Sequence, residues 1–230
     1  MTLARPASDA PLRIDFVSDI TCPWCAIGLR ELEAAIAALA GEIPIELHLQ
    51  PFELNPDIGP EGEPIEDYAR RKYGAGSAAL AERQALIRRR GQEVGYAFAL
   101  RSHVYNTFDA HRLLHWAAPQ GRALALKRAL LVAYHVRGEN PATANVLLQA
   151  AREAGLDAGR ARSVLDSGAG AEAVRATVRH WQRRGIASVP TTLIAGRWPI
   201  EGARPSAAYE QALRRLRHAR FAPADASIAD

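Results

Sequence analysis

The two cysteines of this chain stand three residues apart, as Cys22-Pro23-Trp24-Cys25, and it has no others. So short a separation is uncommon for two cysteines dropped at random into 230 residues, and its surroundings narrow the fold further. The motif follows an apolar, strand-like run from Leu12 to Val17 and opens a long amphipathic segment reaching about Ala40. A Cys-x-x-Cys pair placed where a strand feeds the start of a helix reads as a centre for thiol–disulfide exchange.

The placement has a physical logic. Thiolate, not thiol, attacks a disulfide, so the site must favour negative charge on one sulfur. With Cys22 at the N-cap, its sulfur faces unpaired backbone N–H groups at the positive end of the helix dipole. Pro23 then falls at the first helical position, where a missing N–H is no loss. Cys25 lies one turn further in, within reach of a short disulfide yet screened from water. The expectation is an exposed nucleophile at Cys22, a resolving thiol at Cys25, and a Cys22 pKa in the range of about 3.5–7.5 rather than about 8.5. Trp24 reads either as an apolar platform for a substrate peptide or as a packing residue at the turn.

Two other uses of the pair fit less well. A structural zinc site needs two more soft ligands. Among the seven histidines, only His111 and His115 have suitable spacing, inside a helical pattern, so no metal is expected. A purely structural disulfide closing so small a loop removes little chain entropy.

Further along, Ile43 to Phe52 carries the alternation of a half-buried strand, and Pro51 to Pro64 breaks regular structure. From about Ile65 to Arg184 the pattern is helical, with breaks near Gly74–Gly76, Gly91–Gly95, Gly121, Gly138–Pro141 and Gly155–Gly159. Val189 to Ile194 and Arg197 to Glu201 read as two strands joined at Ala195-Gly196. Ser206 to His218 reads as a closing helix with Ser206 as its N-cap. The order is strand, helix, strand, helical block, two strands, helix. The block is too large for a loop and must pack as a helical subdomain. Pro190 lacks the donor that a central strand needs, which suits the start of an edge strand.

Composition excludes several roles. A net charge of +4 on 230 residues suggests no polyanionic partner. Arginine runs such as Arg88–Arg90, Arg183-Arg184 and Arg214-Arg215 lack aromatic interleaving and read as solvated helix faces, so no nucleic acid is expected. Lys72 and Lys127 are the only lysines. No apolar run approaches membrane-spanning length, and no apolar stretch follows Arg5 as in a secretory signal. The expected compartment is the reducing cytoplasm, where a cysteine pair is more often catalytic than structural.

Taken together, these marks resemble the DsbA-type thioredoxin family, in particular its cytoplasmic FrnE-like branch. They are Asp19-Ile20-Thr21-Cys22-Pro23-Trp24-Cys25-Ala26-Ile27-Gly28, Pro51-Phe52-Glu53-Leu54-Asn55-Pro56, Asn106-Thr107-Phe108-Asp109-Ala110-His111-Arg112, and Val189-Pro190-Thr191 with Ile200-Glu201-Gly202-Ala203. The resemblance runs from about Arg13 to Leu216. It implies an α/β, thioredoxin-like fold with a large helical insertion. Residues 12–62 and 186–218 form the thioredoxin-like domain, 63–185 the inserted helical domain, and 1–11 and 219–230 flexible termini. It implies disulfide exchange with protein thiols or with glutathione as a small thiol co-substrate, by a monomer or homodimer. A cis Val189–Pro190 bond would face the sulfurs and leave the Val189 backbone free to pair with an extended substrate. The family also includes 2-hydroxychromene-2-carboxylate isomerases and kappa-class glutathione transferases, which generally carry serine where Cys22 stands and bind glutathione without cycling a disulfide. Asn106 and His111 are the polar residues expected nearest the sulfurs, unless they serve as a helix cap and a buried hydrogen bond.

Overall fold

The structure, a computed structural model, describes residues 10–74 and 76–221. The chain begins with strand β1 (Leu12–Ser18), in which every residue but Arg13 is buried. That near-continuous burial makes β1 a central strand. It pairs in parallel with β2 (Ile45–Pro51), from Leu12 opposite Ile45 to Ser18 opposite Pro51. On its other side it runs antiparallel to β5 (Thr191–Ile194), which pairs in turn with β6 (Trp198–Glu201). The sheet order is β2-β1-β5-β6. The one buried carboxylate pointing from β1, Asp15, accepts from Arg13 at 2.7 and 2.9 Å and from Gln50 Nε2 at 2.7 Å, so its burial is compensated.

Helix α1 (Pro23–Ala38) connects β1 to β2 and packs its Ile27, Leu29, Leu32 and Ala35 face into the sheet core. The closing helix α9 (Ser206–Phe221) lies against it, with Tyr209 and Leu213 in the same core. Ser206 is the first helical residue rather than the expected N-cap. Its backbone N–H is satisfied from outside, by the Glu31 carboxylate on α1 at 2.8 Å, so no hydroxyl cap is needed there.

Between β2 and β5 lie β3 (Glu63–Pro64), α2 (Ile65–Tyr73), α3 (Ser77–Glu93), β4 (His103–Val104), α4 (Phe108–Ala117), α5 (Ala123–His135), α6 (Ala144–Glu153), α7 (Ala158–Ser167) and α8 (Ala171–Arg183). Leu113, Leu126, Leu130 and Leu147 form a core among these helices. That core also takes in Ile20, from the loop before the cysteines. Other contacts join the block to the sheet: Ile87, Phe98 and Leu131 reach the sheet core, and Trp181 packs with Val17 and Leu193.

The pattern departs from expectation in five places. Residues 94–107 are a turn and irregular chain rather than helix, apart from β4, which pairs with β3 in a two-stranded sheet. The reason is a period of two: Tyr96 and Phe98 are buried while Ala97 between them is exposed. Gly91 stays inside α3, where the Phe98 ring lies so close that an added Cβ would fall 2.7 Å from it. A break at Gly168 and Gly170, both at positive φ, separates α7 from α8 and had no counterpart in the expected list. The last hairpin turns through three residues, Ala195 to Arg197, so β6 starts at Trp198. Finally, β5 is not the expected edge strand but pairs on both sides, with β1 and β6; it starts at Thr191, since Pro190 has no N–H to contribute to a ladder. Of the tail expected at 219–230, residues 219–221 continue α9, and the rest, like residues 1–9 of the other expected terminus, lies outside the described residues.

Candidate active site

Cys22 is the N-cap of α1, with extended φ and ψ of −84° and 113°, and Pro23 occupies the first helical position. The Cys22 carbonyl accepts from the N–H of Cys25 at 3.1 Å and of Ala26 at 3.4 Å, which starts the helix. Both sulfurs are thiols. Cys25 is fully buried, and Cys22 is only 6 % exposed, less open than an exposed nucleophile should be. Trp24, Leu54 and Val189 crowd the same cavity mouth and account for the cover. The Cys22 thiol donates to the Val189 carbonyl at 3.6 Å. That carbonyl is therefore occupied in the dithiol form, not free for a substrate strand as expected. The Val189–Pro190 peptide is cis. The Pro190 ring approaches α1 closely: an added Cβ at Gly28 would fall 3.0 Å from its Cγ.

The two sulfurs are held in opposite protonation preferences. The Cys22 pKa is lowered, first by a hydrogen bond from the Cys25 thiol and then by the backbone N–H groups of Cys25 and Trp24, against burial and the charge of Asp19. The Cys25 pKa is raised well above the ordinary value by burial and by the neighbouring Cys22, with the Lys127 ammonium pulling the other way.

Beneath the pair lies a buried charged group from three elements. Asp19 accepts the Leu54 N–H at 2.8 Å through Oδ2, while its Oδ1 has no hydrogen bond and stands 3.6 Å from His111 Nε2. Burial raises the Asp19 pKa, but His111 and the other donors around it outweigh that and leave it below the usual carboxylate range. His111 hydrogen-bonds the Phe52 carbonyl at 3.1 Å, so its Nε2 carries the proton, and burial holds its pKa down. His135 does the same for the Ile20 carbonyl at 2.9 Å, and burial and then Arg101 depress its pKa to about 3.

On the open side of Cys22 a cavity of about 330 Å³ runs between the cysteine motif and helices α2 and α3. Its walls are mainly apolar, including Trp24, Leu54, Ile65 and Val104, with Arg83 and Arg101 as the cationic groups.

Pro23, Trp24, Val189 and Pro190 therefore gather around Cys22 as expected of residues at one site. His111 does not reach the cavity beside Cys22. It acts from below, through Asp19. Asn106 is not placed at the sulfurs. Its Nδ2 donates to the Pro56 carbonyl at 3.2 Å and its Oδ1 accepts the Phe108 N–H at 2.9 Å, which caps α4 and pins the loop after β2. Sequence reading gave no role to Asp19, Lys127 or His135. Lys127 carried one usable signal, a lone lysine in the middle of an Ala-Leu-rich helix in a chain that otherwise uses arginine.

The sequence pattern of the DSBA-like thioredoxin domain matches residues 13–214. A probable DsbA oxidoreductase from Streptomyces coelicolor superposes with a TM-score of 0.84 at 30 % identity, over 93 % of each chain. Two more distant structures share the fold. A 2-hydroxychromene-2-carboxylate isomerase has a TM-score of 0.70 at 16 % identity, over 92 % of this chain and 100 % of that one. The cytosolic disulfide reductase DsbM of Pseudomonas aeruginosa, solved with GSH, has a TM-score of 0.61 at 22 % identity, over 91 % of this chain and 99 % of that one. The unbroken match across sheet, helical block and cysteine motif assigns the chain to the DSBA-like thioredoxin domain family, a family of α/β thioredoxin fold.

Proposed function

We propose that this protein is a thiol–disulfide oxidoreductase acting on protein or small-molecule thiols through Cys22 and Cys25. The observation that carries the reading is the pair itself: one sulfur at the mouth of α1, where thiolate is favoured, and a second, protonated sulfur one turn behind it. In the reducing direction the Cys22 thiolate attacks a substrate disulfide, the substrate S–S bond breaks, and one substrate sulfur leaves as thiolate. Cys25 then loses its proton and attacks Cys22 Sγ. The second substrate sulfur departs, the substrate is reduced, and a Cys22–Cys25 disulfide remains. The reverse sequence oxidises a substrate dithiol. Trp24 and the apolar wall offer a surface to the substrate, and the Val189 carbonyl becomes available to a substrate N–H once Cys22 is deprotonated.

An insulin-reduction assay driven by a small dithiol tests the proposal. Turnover in the intact protein, its loss in Cys22→Ser, and a trapped mixed disulfide in Cys25→Ala are expected. Undiminished turnover in Cys22→Ser would sink it.

A second reading is a glutathione-dependent isomerase or transferase with Cys22 as anchor. It draws support from the cavity beside Cys22, whose apolar walls and two arginines suit an apolar acid. Turnover of a chromene carboxylate with saturable glutathione, unaffected by Cys25→Ala, would favour it. The reducing cytoplasm remains the compartment proposed, and glutathione the small thiol partner, in keeping with the fold shared with a cytosolic reductase solved with GSH.

A further inference from the structure

A second cavity, of about 390 Å³, opens on the other side of the buried charged group, between β2 and helices α4, α5 and α8. Its lining differs in kind from the one beside Cys22. Three of the chain's seven histidines, His48, His111 and His115, face it together with Lys127. Lys127 is 1 % exposed, and among the described residues its ammonium has neither a hydrogen bond nor an ion pair. Holding a charge there is costly, and burial lowers the Lys127 pKa accordingly, so an anion in the cavity would give the ammonium a partner and favour its charged form.

The start of α5 opens onto the same space, through Gly121, Ala123 and Leu124. Its N-cap, Arg122, makes no side-chain cap, and no acidic residue stands in the first turn. Free N–H groups and the positive dipole end therefore face the cavity one turn before Lys127. The acidic residue on the wall, Glu46, is largely exposed and lies 3.0 Å from His48 Nε2 without a hydrogen bond between them.

We propose that this cavity is a binding site for a compact anion, a phosphate or a short dicarboxylate, with Lys127 as its buried cationic partner and the α5 N-terminus and His115 completing the cradle. The site would be coupled to the sulfurs. Lys127 is the charge shared between the two: its field also acts on Cys25, Asp19 and Cys22. An anion beside Lys127 disfavours a second negative charge on Cys22, so the ligand and the thiolate compete, and each weakens the other by the same factor. The disulfide form, which has no thiolate, holds the anion more tightly than the reduced form. This coupling rests on Cys22 and Cys25 being the redox pair, whereas the binding does not.

Calorimetric titration with inorganic phosphate and, separately, with malonate, at ionic strength fixed with chloride, tests the site. Saturable binding of one or both is expected, and the tighter of the two identifies the ligand as tetrahedral or dicarboxylate. Lys127→Met should weaken binding about tenfold or more, the loss of a charge-assisted contact. His115→Glu, at an exposed position on the rim, should do the same without touching the core. Absence of saturable binding, or full affinity in both variants, overturns the site. Binding should persist in Cys22→Ser, which separates it from the redox reading. In the intact protein, saturating ligand should move the thiolate absorbance of Cys22 to higher pH. A titration that does not move overturns the coupling and leaves the site standing.

Discussion

The two cavities that flank the cysteines are close to one another in size and opposite in character. The one beside Cys22 is walled by Trp24, Leu54, Ile65 and Val104, and the one behind by histidines, Lys127 and the start of a helix. Between them, α1 opens one sulfur to the apolar cavity and buries the other away from both. Cys22 stands at the apolar mouth and is favoured as thiolate by donors, while Cys25 is sunk toward Lys127 and kept protonated by burial. The difference teaches how one short motif gains two roles. On the proposed exchange chemistry a substrate would meet an apolar surface that suits many sequences, while charge is managed on the far side.

The strongest way to break this comparison is to exchange the two sulfurs' fates. Cys22→Ser should abolish disulfide exchange by several orders of magnitude, whereas Cys25→Ala should leave the first attack intact and accumulate mixed disulfide, as seen by mass spectrometry. Equal loss of the first attack in both would erase the division of labour.

The next effect is on stability and belongs to the buried side. His135 has a folded pKa of about 3 against an ordinary 6.5. Between those values the unfolded chain binds a proton that the folded chain refuses. Stability is therefore retained above the higher value and falls as pH drops toward the lower one, by up to about 1.4 kcal/mol per pH unit. Thermal unfolding followed from pH 7 to pH 4 should show this slope, and His135→Gln should flatten it.

A smaller and sharper test concerns Asp19, whose charge raises the Cys22 pKa. In Asp19→Asn that repulsion is gone, so the Cys22 thiolate should persist to lower pH than in the intact protein. Ultraviolet thiolate absorbance reads it directly, and a shift to higher pH would contradict the placement of Asp19 beneath the pair.

The smallest effect is expected at Asn106. Asn106→Ala removes the acceptor for the Phe108 N–H and should cost about 1 kcal/mol of stability, measured by urea unfolding, with the exchange rate unchanged. A fall in exchange rate at equal stability would return Asn106 to the site.

What could be read before the structure follows from the range of the interactions involved. The Cys22 N-cap and Pro23 at the first helical position are local geometry, written in four adjacent residues. The first two strands and the last hairpin followed from hydropathy patterns and turn chemistry, and the DsbA-like outline from motifs spread along the chain, whereas the order and direction of the strands came only with the structure. The non-helical course of residues 94–107 was missed because helical signals on both sides masked the two-residue alternation of Tyr96 and Phe98. Asp19, Lys127 and His135 were missed for a different reason. Asp19, on the loop after β1, lies far in sequence from Lys127 and His135, which share α5, and only tertiary packing brings the three together. Asn106 was misplaced since a polar residue beside a helix start has two uses, and capping satisfied it locally.

The partner of the Cys22 thiol, the Val189 carbonyl, lies 167 residues downstream. β1 likewise has one edge closed by β2, soon after it in sequence, and the other by β5, near the end. During synthesis both sulfurs leave the ribosome before the helical block, while the wall that shelters them follows only after it. The thiols are made early and armed late: a growing chain stopped short of residue 189 would display the motif without the setting that gives it chemistry.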